Sequence, residues 1–426
     1  MVPPPLMANL ADVIGRAVAE ACEAGGGVYL PEGFDVAALD ATLADLREHI
    51  SLVTLAAASL PVKGSRGIRA CEVISVAGPV SVYRKYIPGC GRAESPGFSG
   101  CKRRVTRGAR KMVSKCGATL GSMAEASQTI GELLHFTLSP SKVRKLTLSE
   151  GERLSETAPS RSEAFDRAAV IPGKCTSVEE TMLVSMDGTC APCSHADTSG
   201  IPGRDGKQAK GRELKVGMVG VYKWLNENGI PVIPPDKRQY IVTHEDCAAI
   251  GAKVLDLAHV LGYGKVKRVQ FMCDGAIWLA RLAGNSFKGA EFTVDFYHAC
   301  GYLDTLCKEI GVEDHAGVFK KTRRIMKTYS ADTALRHLQK KYPAAMANLN
   351  TEAKQAYTYL DERRKNMEYG RLRKLGYFIG SGHIESACKF IVGARCKQAG
   401  MHWRHYNAAY VSSIRAAIRS NTFWVA

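Results

Sequence analysis

The sequence predicts a mixed α/β domain interrupted by an all-helical insertion, with a β-hairpin and a helix-turn-helix-containing helical region ahead of it. Three observations predict this. First, three β-rich runs follow one another (VEETMLVSMDGT, ELKVGMVGVYKW, KRQYIVTHED). A long amphipathic segment follows, CAAIGAKVLDLAHVLGY, and then strand and helix patterns alternate through KVKRVQFMCDGA, IWLARLAG, AEFTVDFYH and ACGYLDTLCKEIG. That order suits a mixed sheet covered by helices. Second, residues 314–370 carry helical periodicity alone, as an insertion would. Third, residues 71–150 change from two-residue alternation to helical periods.

In chain order, residues 1–70 read as a helical hairpin. Amphipathic stretches at 8–24 and 36–52 flank the turn-rich GGGVYLPEGF. Residues 71–102 read as a β-hairpin and loop, because CEVISVAGPVSVYRKYI alternates around a Gly-Pro break. Residues 103–155 predict three helices. The first covers about 105–116. The second covers 122–134, with Ser122 and Glu125 spaced as a capping box. The third opens at Ser139, with Pro140 at its first position. A short turn and then a helix bearing Lys142, Arg144 and Lys145 is a helix-turn-helix pattern. Residues 156–180 are polar and read as a linker. The α/β domain then covers 181–313, is interrupted by the insertion, and resumes at 371–426, where GSGHIESACKFIVGARCK opens a helix capped by Ser381 or Gly382.

The formal charge of +17 favours a polyanionic partner, most often nucleic acid. The charge is uneven. Residues 1–70 hold 5 basic and 8 acidic side chains, residues 71–150 hold 13 and 5, and residues 360–405 hold 10 and 4. Two separated basic regions imply two contact surfaces, or one surface built from both. No run of about 18 apolar residues occurs, so no membrane partner is expected. The start, MVPPPLMANLADVIG, lacks a charged segment followed by an apolar one, so secretion is not expected. The 14 scattered cysteines suit reduced thiols in a cytoplasmic protein.

Against this basic background three acids stand out: Asp187 in SMDGT, Asp274 in MCDGA and Glu385 in GSGHIESACK. The two aspartates end β-like runs and precede glycine, and the glutamate falls near the first turn of a helix. Such carboxylates among cations suit a site for divalent metal and phosphate together. Two ions about 4 Å apart would activate water or a 3′-hydroxyl and stabilise the leaving oxygen. Mg²⁺ fits that donor set. The alternative for each acid is a turn or a helix cap.

Other residues have competing readings. Cys90 and Cys101 lie in a loop without a CxxC pair, so no structural zinc is expected. Cys190 and Cys193, followed by His195, could bind metal or form a redox pair, but no second ligand pair is evident. His244, Glu245 and Asp246 read as a helix N-terminus. Asp295 and His298 in DFYH are either a hydrogen-bonding pair or part of the chemistry. The cations at 363–374, interleaved with Tyr369, either follow a phosphate backbone or form a solvated helix face. Trp403 in GMHW either stacks on a base or packs in the core.

Four stretches carry a family resemblance. They are MDGTCAPC with GRDGKQAKGRELKVG, CDGAIWLARLAGNSFKGAEFTVDFYHACGYL, GSGHIESACKFIVGARCKQAGMHW and, more weakly, residues 78–150. Together they cover about residues 75–420, and they resemble the DDE-type insertion-sequence transposases of bacteria, specifically the ISKra family, allied to Mutator-like elements. The resemblance implies an RNase H-like catalytic domain with catalytic and metal-binding Asp187, Asp274 and Glu385. It implies a supporting pair, Asp295 and His298, and a helical insertion before the glutamate. Relatives often carry a CxxC pair after the hairpin, whereas this chain has only Cys90 there.

The implied activity is Mg²⁺-dependent DNA cleavage and strand transfer at element ends, using two ions, with Mn²⁺ able to substitute. The implied partners are double-stranded DNA (element ends and target) and further copies of the chain, in a homodimer or larger assembly. The implied location is the bacterial cytoplasm, in association with the nucleoid. Lys142, Arg144 and Lys145 would recognise the element end, and Arg107 and Arg110 would also bind DNA. Arg363, Arg364, Lys365, Lys389, Arg395, Lys397 and Trp403 would hold flanking DNA. The alternatives are a catalytically retired transposase acting as a DNA-binding regulator, and a metal-dependent nuclease that does not join DNA.

Overall fold

A computed structural model of the protein describes residues 47–48, 51, 67–85, 105–134, 136–169, 171, 174–203, 206–311 and 314–424. Of the expected N-terminal helical hairpin (1–70), only positions 47, 48, 51 and 67–70 lie among these residues, with 68–70 in a strand and not a helix, and the loop with Cys90 and Cys101 lies outside them entirely. Inter-residue contacts divide the chain into two units, Met1–Ala109 and Arg110–Ala426.

In the first unit, β1 (Ile68–Ser75) and β2 (Gly78–Lys85) form the expected antiparallel hairpin. The turn is Val76–Ala77, two residues before the Gly-Pro step expected to make it. Gly78 holds φ at +99°, which a side chain would strain. The Ser75 hydroxyl donates to Gly78 O at 2.8 Å and accepts from Ala77 N–H, closing the turn.

The helical region consists of α1 (Arg107–Thr119), α2 (Met123–Leu134) and α3 (Pro140–Glu156). Ser122 Oγ caps α2 by accepting from Glu125 N–H at 2.9 Å. The Glu125 carboxylate accepts from Gly121 N–H, one residue ahead of the expected capping-box partner. Ser139 caps α3 as its sequence predicts. This region is not a separate module. The buried face of α3 (Val143, Leu146, Thr147, Glu150, Gly151) packs along α12 (His405–Arg419), the C-terminal helix. Gly151 permits the approach, since a Cβ there would lie 2.2 Å from Tyr410 O. Nor are residues 156–180 a free linker: Phe165 is buried in the core, and β3 already begins at Thr176.

The sheet has five strands in the order β5-β4-β3-β6-β7. Strands β3 (Thr176–Pro192), β4 (Gly211–Leu225) and β5 (Arg238–Thr243) form an antiparallel meander. Strands β6 (Arg268–Cys273) and β7 (Glu291–Val294) run parallel to β3. The parallel joins need crossovers, supplied by α4 (Cys247–Val260) from β5 to β6 and α5 (Ile277–Ser286) from β6 to β7. Asp246 caps α4, bearing out the helix start read at His244–Asp246.

Alternation along the strands makes two cores. Met182, Val184, Met186, Phe271 and Cys273 meet α4 and α5 on one face. Leu183, Val216, Met218 and Met272 meet α12 and the helix of Glu385 on the other.

After β7, α6 (Phe296–Ile310) joins the insertion helices α7 (His315–Thr328), α8 (Ala331–Lys341), α9 (Thr351–Arg363) and α10 (Tyr369–Lys374) around a third core. That core contains Leu303, Leu306, Leu335, Leu360 and Tyr369, so the helical body starts one helix before the insertion the sequence suggested. The chain returns through Tyr377–Gly380, where buried Gln270 pins Phe378. The Gln270 amide donates to Phe378 O at 2.7 Å and accepts from Phe378 N–H at 3.1 Å. Helix α11 (Gly382–Ala387) then carries Glu385 and continues into a π-wound segment, Cys388–Gly393.

Candidate active site

Asp187 continues the odd-numbered face of β3, after Leu183 and Ser185. Asp274 continues the face of Met272, one residue past β6. Strand alternation therefore turns both aspartates toward the side covered by α11. The sequence suggested that Asp187 ends its strand. Instead β3 runs on to Pro192 through its ladder with β4, while its pairing with β6 stops at Ser185 and Met272. Asp187 thus lies two residues beyond the end of the parallel ladder, at the carboxyl-terminal edge where α/β sheets present their sites.

Asp187 is half-buried, and its Oδ1 accepts from Gly188 N–H at 2.7 Å. The Cys388 thiol donates to Oδ2 at 3.8 Å. Burial raises the Asp187 pKa, and the negative charges of Asp274 and Glu385 push it the same way, against the Gly188 and Cys388 donors. The three acids therefore share one electrostatic neighbourhood. Burial and the Asp187 charge push the Cys388 thiol up to about 12, which keeps it a donor at neutral pH. Among the described residues, no three His, Cys, Asp or Glu side chains are grouped closely enough to hold an ion as they stand.

The insertion helices hold the second aspartate. Asp274 Oδ1 accepts from Ala276 N–H at 2.9 Å, and the Tyr359 hydroxyl of α9 donates to Asp274 O. Arg363 Nε donates to Gly275 O at 3.0 Å, and its guanidinium lies over the Tyr359 ring. Gly275 has φ +84°, and a Cβ there would sit 2.7 Å from the Tyr359 hydroxyl, so the Asp-Gly step is a docking requirement. Tyr359→Phe should cost about 1 kcal/mol, the net worth of one hydrogen bond, read as a lower urea midpoint at unchanged slope.

Glu385 is exposed on α11, and Ser381 Oγ donates to its Oε1 at 2.9 Å. Asp295, 1 % exposed, caps α6 by accepting from His298 N–H, and its other oxygen accepts from Ser381 N–H. The expected pair is thus divided. Asp295 bonds to the backbone of His298, while the His298 ring is exposed and meets Tyr302 edge-on and Tyr359 at a tilt.

Two residues expected on DNA are structural. Arg395 is 2 % exposed; it donates to Gly117 O and lies over the Trp403 ring. The indole of Trp403 donates to Cys396 O at 3.1 Å, and its backbone pairs with Pro192 and Ser194. Burial withdraws the Arg395 guanidinium from any phosphate, while the Trp403 ring that it covers is half-buried. Cys190 and Cys193 are free thiols at the end of β3, one exposed and one buried, next to an exposed His195.

Of the other expected cations, Arg107, Arg144, Lys145, Arg364, Lys365, Lys389 and Lys397 are exposed, and Arg110, Lys142 and Arg363 are half-buried. Arg364 is shared between Asp332 and Asp361. Lys397 donates to Thr189 Oγ1 at 2.6 Å, which sets a cation two residues beyond Asp187.

The sequence reading missed Cys388 and Tyr359, whose roles depend on distant contacts, and took Ser381 for a helix cap, whereas its hydroxyl donates to Glu385 instead. It also missed a basic face that was visible in the sequence. Helix α7 reads HAGVFKKTRRIMKT without an acid, and its Lys320, Lys321 and Arg324 are exposed, as are Lys340 and Lys341 at the end of α8. His337 titrates below its ordinary value through burial and through the charges of Lys321 and Lys341, so the two helices turn their cations toward one region. No protein-family model and no curated protein matches the chain.

Proposed function

We propose that the chain is a DDE-type DNA transposase with an RNase H-like catalytic domain. One observation carries the reading: β3, the loop after β6 and α11 bring Asp187, Asp274 and Glu385 to a single sheet edge, near enough that the charges of the other two raise the Asp187 pKa. The strand order supports it, with a three-stranded antiparallel meander followed by two strands parallel to its first. The charge of +17 and the exposed cations of α3, α7 and α8 support a nucleic-acid substrate.

Asp187, Asp274 and Glu385 fit Mg²⁺ by donor chemistry: all three offer hard oxygens, and a cation would relieve the repulsion felt by Asp187. The chemistry Mg²⁺ supplies when bound is activation of water or a 3′-hydroxyl for attack at phosphorus, and stabilisation of the leaving oxygen. Tyr359 and Arg363 fix the Asp274 loop, Cys388 and Gly188 orient Asp187, and Lys397 offers a positive charge to a phosphate at the rim.

The test is incubation with Mg²⁺ and duplexes carrying the sequences that flank its gene. Cleaved ends followed by joined products are expected, with DNA affinity falling steeply as salt rises. Cleavage without joining would make the protein a nuclease, and binding without cleavage a regulator.

A further inference from the structure

Glu385 is the most exposed of the three acids and sits on a helix of only six residues. A glutamate there has three rotatable bonds and little packing to hold it. One neighbour restrains it, the Ser381 hydroxyl at 2.9 Å from Oε1. Ser381 is the N-cap residue of α11, yet its side chain makes no capping bond, so its hydroxyl is directed to the glutamate. The serine itself is anchored from another part of the fold. Its N–H donates to the buried carboxylate of Asp295, at the end of β7, whose other oxygen caps α6. The backbone closes the same joint: Phe296 N–H donates to Ile379 O, and Asp295 N–H donates to Cys273 O, one residue before Asp274. The Tyr297 ring lies against Gly380, where a Cβ would come within 2.8 Å of it.

We infer that Ser381, anchored by Asp295, is a positioning residue that presents Glu385 to a divalent cation shared with the two aspartates. The inference rests on the reading of Asp187, Asp274 and Glu385 as one cation site. By occupying Oε1, the hydroxyl fixes the side chain and leaves Oε2 open. Outer partners of this kind set the orientation of metal-binding carboxylates, and their loss costs about 10–100-fold in metal affinity.

Mn²⁺ alone, titrated into the full chain and followed by the loss of its free-ion paramagnetic signal, tests the inference without DNA or turnover. Ser381→Ala should weaken Mn²⁺ binding about tenfold. Its metal-free melting temperature should fall only slightly, because one hydrogen bond to an exposed carboxylate is lost and no cap bond with it. Ser381→Thr, which keeps the hydroxyl, should restore most of the affinity. Asp295→Asn turns an amide toward one of two N–H donors and should weaken binding through the same joint. Asp187→Asn serves as the control. If Asp187→Asn abolishes binding while Ser381→Ala binds like the wild type, the positioning role is wrong and the cation site stands. If the wild type does not bind Mn²⁺, or Asp187→Asn binds as well as the wild type, the site reading fails and takes the positioning role with it.

Discussion

On the proposed transposase function, Asp187→Asn is expected to lower DNA cleavage at least about a thousandfold and, in the metal-free protein, to raise the melting temperature at neutral pH. The rate follows from losing several kcal/mol of charge stabilisation at phosphorus, at about 1.4 kcal/mol for each factor of ten. The stability gain has the opposite origin. Burial and the charges of Asp274 and Glu385 raise the Asp187 pKa in the folded chain above its unfolded value near ~3.9. The folded state therefore favours the protonated acid, and ionisation destabilises it. That penalty is absent below the unfolded pKa, grows as pH rises between the two values and is complete above the folded one. An asparagine cannot ionise, so the variant should melt higher than the wild type at pH 7, and the two should converge as the solution is acidified. Mg²⁺ should raise the wild-type melting temperature and leave the variant unmoved. Melts at neutral and acidic pH, with and without Mg²⁺, check every part. A variant that melts lower at pH 7, or one that responds to Mg²⁺ like the wild type, would show that the three carboxylates are not a cation site held at the expense of stability.

The fold was legible where a residue's position depends on its near neighbours. Ser122, Ser139 and Asp246 cap the helices their spacing predicts, because a cap is a bond over three residues. The three β-rich runs pair as a meander for the same reason: short connections favour adjacent strands. The three acids stood out because each interrupts a local pattern. Residues that act across the fold were misread. Trp403 and Arg395 have the composition of a nucleic-acid surface, and only their contact with each other and with Cys396 and Gly117 reveals a packed pair. The basic helix α3 resembles a free recognition helix until Gly151 is seen against the backbone of Tyr410. Asp295 and His298 read either as a hydrogen-bonding pair or as part of the chemistry, and only the fold shows that the bond is a cap to the His298 backbone and that the carboxylate also reaches the Glu385 helix. The hydroxyls of Tyr359 and Ser381 carry no sequence signal at all, since a tyrosine in a helix and a serine before one are ordinary.

The second large effect is expected at Arg415, which lies outside every motif the sequence singles out. Helix α11 passes into π winding at Cys388–Gly393, which begins three residues after Glu385. Such a segment departs from the α-helical bonding pattern and needs support from outside the helix. Arg415 of α12 supplies it. Its Nε donates to Phe390 O and Ile391 O at 3.0 Å each, Nη2 donates again to Phe390 O, and Nη1 reaches Ala118 O at 3.0 Å in the last turn of α1. One guanidinium thus ties α1, α12 and the π segment together. Arg415→Met keeps the aliphatic volume and removes every donor, so three carbonyls lose a partner at about 1 kcal/mol each, or about 3 kcal/mol in all. The π segment should then slacken, and with it the turn that carries Glu385. A displacement of about 1 Å at a reacting group can cost about a hundredfold in rate, so cleavage by the folded fraction should fall by that order. Arg415→Lys keeps the charge but offers one point donor in place of a fork, and should fall between the two in stability and rate. Urea unfolding and single-turnover cleavage on the same preparations separate the effects. A methionine variant as stable as the wild type would mean that the π segment holds itself. One that is less stable but cleaves at the wild-type rate would mean that Glu385 does not depend on the winding behind it.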